Sequence, residues 1–371
     1  MPDSSVAAAA PAAVDVEALL DLAIRGLQRM FDQPAGLFCH RLLQRRKEWV
    51  QEGLSPRYSL MTLLGLRQAE QAGLAVGFDV HGLTSKIAAQ PERLSNLGDL
   101  GCLLWATAEI VPEALPSLWP RLRLETALRR YPDAQHTMEL AWLLSGLAAA
   151  KRVSAHLSGL DEMAARLRSL LLRNRGDSGL FGHLHRKAGA TGLLRGHIGS
   201  FADQVYPICA LVKFAEAYGD QESQAALTIA KALCALQGPR GQWWWHYNAQ
   251  TGKVVSTYPV YSVHQHAMGP MALFAATEAS AENFRPNIFR GLAWLSDNEL
   301  SIDMRELSCP LVWRGVAQTG LQKWRTRVDA VANGQGAVEA PPAKLSLISE
   351  CRPYELGWLL YAFSKPSRRR L

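Results

Sequence analysis

Apolar residues recur at three- and four-residue spacing through most of the chain, the period of a helix that buries one stripe. The spacing predicts helices over residues 19–31, 59–72, 97–110, 139–150, 164–172, 208–218, 225–236, 268–279, 288–295 and 355–363. Alternating, β-branched runs are scarce. Residues 254–263 are the main exception and read as a short strand or an extended loop. The expected class is all-α.

A repeat lies inside this pattern. Shifting residues 179–217 by 62 positions places Gly179 on Gly241, Phe181 on Trp243, Leu211 on Leu273, Glu216 on Glu278 and Ala217 on Ala279. Each copy reads as an outer helix, a Gly-x-aromatic turn, a polar loop and a more apolar helix. Echoes of that apolar helix begin near Tyr58, Asp99, Glu139, Asp203, His264 and Arg352. A helix packed on both sides reads apolar all round, whereas one packed on a single side is amphipathic. Six such pairs predict a closed (α/α)6 toroid, with an open helical solenoid as the alternative. The expected organisation is a disordered leader over 1–14, one toroid domain over 15–364 with a flexible insertion at 326–344, and a basic tail over 365–371.

Composition narrows the functional classes. The 371 residues are 48% hydrophobic and 20% charged, as expected for a globular chain with a large core. The net charge of +7 comes partly from the four cations of 365–370, expected to be solvated and weakly drawn to anionic lipid. The remaining cations sit in short mixed-sign runs such as Arg45-Arg46-Lys47-Glu48, so no basic stripe points to nucleic acid. No apolar run is long enough to span a membrane. The Ala/Pro-rich start reaches Asp15 and Glu17 before any Lys or Arg, unlike a secretory signal. Six scattered cysteines without a Cys-x-x-Cys pair fit buried thiols in a reducing cytoplasm. Phosphate-cradling Gly-rich loops, Gly-x-Ser-x-Gly and His-Glu-x-x-His are all absent, and no cofactor is expected.

Two resemblances follow from particular residues. Gln237-Gly-Pro-Arg-Gly-Gln-Trp243 fits Gln-xxx-Gly-x-Trp, similar to the repeat of squalene cyclases and protein prenyltransferase β-subunits. That resemblance implies an α/α toroid. The Asp-x-Asp-Asp signature of class II terpene cyclases is missing, and so is a prenyltransferase-type zinc set. The segment Trp243-Trp-Trp-His-Tyr-Asn, then Tyr258-Pro-Val-Tyr-Ser-Val-His264-Gln-His266, resembles the toroid domains of sugar epimerases, particularly the C-terminal domain of glucuronyl C5-epimerases. It is also similar to toroid proteins encoded with bacterial exopolysaccharide machinery. This resemblance implies carbohydrate chemistry at an aromatic turn and a Tyr/His-bearing inner helix.

In a closed ring, the loops entering the inner helices converge at one end, which is the default place for a site. The candidates for acid/base work there are His264, His266, Asp203, Tyr261 and Glu350. A cavity histidine titrates near neutrality, and carboxylates supply acids and bases for glycoside chemistry. Asp203 reads equally well as the cap of its helix. Candidates for holding the substrate are Tyr58, Asp99, Glu139, Tyr206, Trp243, Trp245, Tyr258, Arg352, Tyr354 and Glu355. Three consecutive indoles cannot all point inward, so one of Trp243 to Trp245 should be left to stack on a sugar. Arg352 can clamp a uronate or phosphate, and Pro353 suits a first helical turn. His183, His185 and His197 with Asp203 could form a zinc site, but a flexible Gly-rich loop with incidental histidines is the expectation.

The reading from sequence is a cytoplasmic carbohydrate-active enzyme of bacterial surface-polysaccharide synthesis or modification. Its ligand is a sugar or oligosaccharide, and polysaccharide-synthesis proteins are its expected partners. Epimerisation is slightly favoured over hydrolysis. An isoprenoid-binding toroid and a non-catalytic scaffold docking to a synthase are the alternatives.

Overall fold

The computed structural model describes residues 14–94, 96–130, 135–154, 156–219, 223–319 and 342–370. Residues 1–13 of the expected leader and 326–341 of the expected insertion lie outside the described residues.

The helices are, in chain order, α1 (Val16–Met30), α2 (Pro56–Gln71), α3 (Val80–Ala88), α4 (Leu97–Ile110), α5 (Leu115–Leu118), α6 (Leu124–Arg130), α7 (Thr137–Val153), α8 (Leu160–Leu172), α9 (Gly189–Arg195), α10 (Ala202–Tyr218), α11 (Ser223–Ala235), α12 (Gly269–Glu278), α13 (Arg285–Ala293) and α14 (Pro353–Phe363). Several begin where a short polar side chain can take an orphan amide. Asp15 accepts from Glu17 N, Ser55 from Tyr58 N, Asp79 from Gly82 N and Asn96 from Asp99 N.

α2, α4, α7, α10, α12 and α14 pack side by side in that order, and α14 returns against α2. The ring is closed, as the toroid reading expected, and an open solenoid is excluded. Outside it, α1 lies against α14, α3 against α2 and α4, α8 against α7, α11 against α10 and α13 against α12. Burial follows the layers. Every residue from Leu140 to Ala150 of α7 and from Asp203 to Val212 of α10 is buried, whereas α1 buries a single stripe. Each large side chain enclosed this way contributes about 1.5–3 kcal/mol. Closure demands a close approach at the seam: a Cβ on Gly65 would overlap the Gly357 carbonyl, so α2 and α14 meet backbone to backbone.

The repeat is real in three dimensions. Gly179 and Gly241 both sit in the left-handed region, at φ 87° and 85°. The backbones of Phe181 and Trp243 are held the same way, by the buried amides of Gln204 and Gln265. The copies are 62 residues apart at these turns, 61 apart at the two glutamines and 62 apart again at Leu211 and Leu273. A π-helical turn over His264–Met268 carries the extra residue that restores the register.

More β-structure exists than the sequence pattern predicts. Leu37–Arg45 and Glu48–Leu54 form an antiparallel hairpin, and Glu350–Cys351 adds to its first strand at the entry of α14. The hairpin turns at Arg46 and Lys47, both at positive φ, without the Gly or Asn that usually marks such a turn. Residues 254–263 divide into two strands: Val254–Ser256 pairs with His246–Asn248, and Val260–Tyr261 pairs with Gly315–Gln318. The basic tail is packed down. Arg368 is bonded to Glu278 and the Ala362 carbonyl, and Arg369 to Glu17, so 365–370 tie together α1, α12 and α14.

Candidate active site

All six inner helices present their N-terminal turns at one end of the ring, and side-chain contacts run round that end without a break. Arg57 of α2 bonds Asp99 and Asn96 at the head of α4, and its guanidinium lies 5.3 Å from the Trp142 ring of α7. Trp142 meets Tyr206 of α10 edge-on at 5.1 Å. Phe201, before α10, packs at 4.5 Å on His264 of the π turn. Arg314 stacks 4.6 Å above Tyr261 and bonds Glu355 of α14. Tyr354 of α14 packs at 4.6 Å on Tyr58 of α2, whose hydroxyl accepts from Arg352 at 2.9 Å. This closed circuit defines a mouth with Trp142, Tyr206 and Trp358 as its floor; Trp358 Nε1 donates to the Tyr206 hydroxyl at 2.9 Å.

Asp203 is the carboxylate with chemistry to spare. It is fully buried in the first turn of α10. Its Oδ2 accepts from Ser200 N and Ser200 Oγ at 2.8 Å each and from His183 Nδ1 at 3.0 Å. Its Oδ1 is buried with no partner among the described residues. One oxygen therefore caps the helix entry, and the other is buried without a partner among the described residues. Burial works against a charged His183, but the bond and charge of Asp203 outweigh it and hold its pKa above the ordinary value. His136 stacks on His183 at 4.6 Å and lies 3.7 Å from Glu139.

His264 heads the equivalent position 61 residues later, and Trp245 stands where His183 stands. The two rings lie parallel at 6.0 Å, and Tyr261 meets both edge-on. Burial and the nearby Arg314 push the pKa of His264 well below the usual histidine value. Trp245 is half-buried, while Trp243 and Trp244 are buried, so Trp245 is the partly exposed indole of the three.

Glu350 is an anchor. Its Oε1 faces Arg352 and Arg314 at 3.0 and 3.3 Å and its Oε2 faces Arg41 at 2.8 Å. Burial favours its neutral form, yet the three arginines prevail and hold it ionised below the usual carboxylate range. Both oxygens of Glu350 are thus committed to arginines. Glu355 takes Arg314 and the Arg352 amide, although burial raises its pKa. The entry to α14 is thus the salt-bridged helix start that its charges allowed.

Three other expected site residues lie away from the mouth. His266 is fully buried, neither ring nitrogen has a partner among the described residues, and burial pushes its pKa down to about 3. The π turn rotates it off the face that carries His264. Trp243 is buried at 1% exposure beneath Phe201, 5.7 Å between rings. Gln237 donates to the Gly241 and Asn287 carbonyls. The Gln-xxx-Gly-x-Trp segment is therefore a structural brace. Tyr258 packs edge-on against Trp244, with its hydroxyl 3.5 Å from Glu299. Tyr206 belongs to the floor. Tyr58, Asp99, Glu139, Trp245, Tyr261, Arg352, Tyr354 and Glu355 do gather with Asp203 and His264.

No group of three or more His, Cys, Asp or Glu side chains able to hold a metal ion occurs among the described residues. His183 turns to Asp203, while His185 lies 3.5 Å from Arg173. The sequence reading did not pair His183 with Asp203, although the 62-residue shift places His183 on Trp245. Arg314 was missed as well. A lone Arg within Leu311-Val-Trp-Arg-Gly-Val316 was its available signal, because a charge is kept in an apolar run only when paired.

No protein-family model matches the chain, and no curated protein matches it in sequence. Solved structures do share its fold. An unsaturated glucuronyl hydrolase specific for heparin is 11% identical with a TM-score of 0.60, covering 95% of this chain and 97% of its own. A sugar epimerase from a ruminal bacterium is 11% identical at 0.61, covering 94% and 97%. Cellobiose 2-epimerase of Bacillus thermoamylovorans is 12% identical at 0.60, covering 94% and 98%. At such identities the likeness is one of architecture: the chain is an α/α toroid whose circuit closes over nearly the full length of these enzymes.

Proposed function

We propose that this chain is a carbohydrate-active enzyme performing acid/base chemistry on a sugar bound in the mouth. The observation that carries the reading is Asp203, with one oxygen fixed by three donors and the other buried and unoccupied. A carboxylate oriented in this way is a general base, and a histidine titrating above its ordinary value beside it can receive and return the proton. Tyr58, Tyr354 and Trp245 offer aromatic faces to a pyranose, and Arg352 offers its guanidinium to a hydroxyl or carboxylate. So charged a mouth argues against an isoprenoid.

Epimerisation is the favoured reaction. The mouth carboxylates of Asp99, Glu350 and Glu355 are all held by arginines, which leaves Asp203 and Glu139, and Asp203 is the one with a buried oxygen lacking a partner among the described residues. Glu139, 3.7 Å from His136, supports hydrolysis as the second reading, because a glycosidase needs two carboxylates. The setting we propose is the synthesis or remodelling of bacterial surface polysaccharide in the cytoplasm, beside proteins of that machinery. The sequence of residues 237–280 supports this setting.

The test incubates the protein with cellobiose, hexosamine disaccharides and unsaturated uronides in heavy water. On the saturated disaccharides, deuterium entering a ring carbon marks epimerisation, and release of a monosaccharide from any of the substrates marks hydrolysis. D203N and H183Q should each lower turnover at least about 100-fold. Full turnover by D203N would refute the assignment.

A further inference from the structure

Beside the mouth lies a groove of about 690 Å3 between α4, α6 and α7, a volume within the usual range for small-ligand sites. Asn96, His136 and Glu139 line both, so the groove continues the mouth sideways. Its floor is apolar, with Leu97, Leu100 and Leu122 buried beneath it. Two arginines stand at its edge. Arg121 is answered by Glu92 and the Ala89 carbonyl, both at 3.0 Å. Arg123 is exposed and has no hydrogen bond or ion pair among the described residues. It also holds φ 47° and ψ 42°, a left-handed conformation that costs a non-glycine residue about 1–2 kcal/mol.

We infer that this groove holds a second sugar unit of the substrate, one bearing a carboxylate that pairs with Arg123. The inference rests on the mouth being a sugar site. A ring in the mouth can continue only where the wall opens, and the shared residues Asn96, His136 and Glu139 mark that opening. The leucine floor suits the C–H face of a pyranose. Charge decides the substituent: Arg121 is paired with Glu92, whereas Arg123 is the arginine of this groove with no carboxylate partner among the described residues. A uronate meets it with a charge-assisted, two-point contact. The substrate class is therefore an acidic oligosaccharide of at least two units.

Calorimetry on the full chain with galacturonate, digalacturonate and cellobiose tests this. Digalacturonate should bind the wild type about tenfold or more tighter than galacturonate. R123N keeps the left-handed backbone, which Asn tolerates, and should abolish that gain without altering galacturonate affinity. R123K should retain most of it. A127W, which fills the groove, should also remove the gain while its thermal melt matches the wild type. A gain that survives in R123N, or an equal gain with cellobiose, overturns the acidic subsite. Galacturonate binding without any gain removes the subsite and leaves the mouth reading standing. Failure of every saccharide to bind sinks both.

Discussion

Replacing Asp203 by Asn isolates the charge at the centre of the site. The side chain keeps its shape and one acceptor oxygen, so the change converts three charge-assisted bonds into neutral ones. Each conversion costs roughly 1 kcal/mol. About a third of the His183 side chain is exposed, so its share falls toward the low end, giving about 2–3 kcal/mol in total. That share depends on pH. The folded-state pKa of His183 is raised, so its bond to Asp203 stabilises the native state fully below the ordinary value of about 6.5. The contribution is lost as pH rises through the raised value. The stability gap between wild type and D203N should therefore narrow by about 1 kcal/mol between pH 5.5 and pH 9. Urea denaturation at the two pH values measures it, and proton NMR of the His183 ring should show its pKa falling in D203N. A gap that widens with pH, or a His183 that titrates below 6.5 in the wild type, contradicts the pairing.

The other predictions concern burial. H266L should be neutral or stabilising, since it removes two buried, unpartnered nitrogens. Wild-type His266 stays neutral when folded yet protonates when unfolded below pH 6.5, so acid favours unfolding. H266L should consequently lose about 2 kcal/mol less than wild type between pH 7 and pH 5, read by denaturation at both values; equal losses would place His266 in contact with water. G65A should destabilise by about 3 kcal/mol or more, because the ring cannot close without backbone contact at Gly357. A calorimetric melt at wild-type temperature would show that the seam has slack.

Part of this protein is legible in the sequence because it depends on local burial. The helices of α7 and α10 read apolar all round because both faces are covered, and that periodicity needs no knowledge of the neighbours. The 62-residue repeat, the glycine turns and the closed ring follow from the same pattern. The hairpin over 37–54 was not legible, because its turn uses Arg46 and Lys47 where Gly or Asn would have signalled it. Nor was the direction of individual side chains. His264 and His266 look alike on paper, and the π turn sends one to the mouth and the other into the core. Glu350 and Asp203 are both carboxylates near helix starts, and only through-space partners separate them: three arginines fix the first, while a serine and a histidine leave the second one free oxygen. Burial periodicity belongs to a segment and is written in it. Charge pairing and cavity shape belong to residues hundreds of positions apart, so they exist only once the ring has closed.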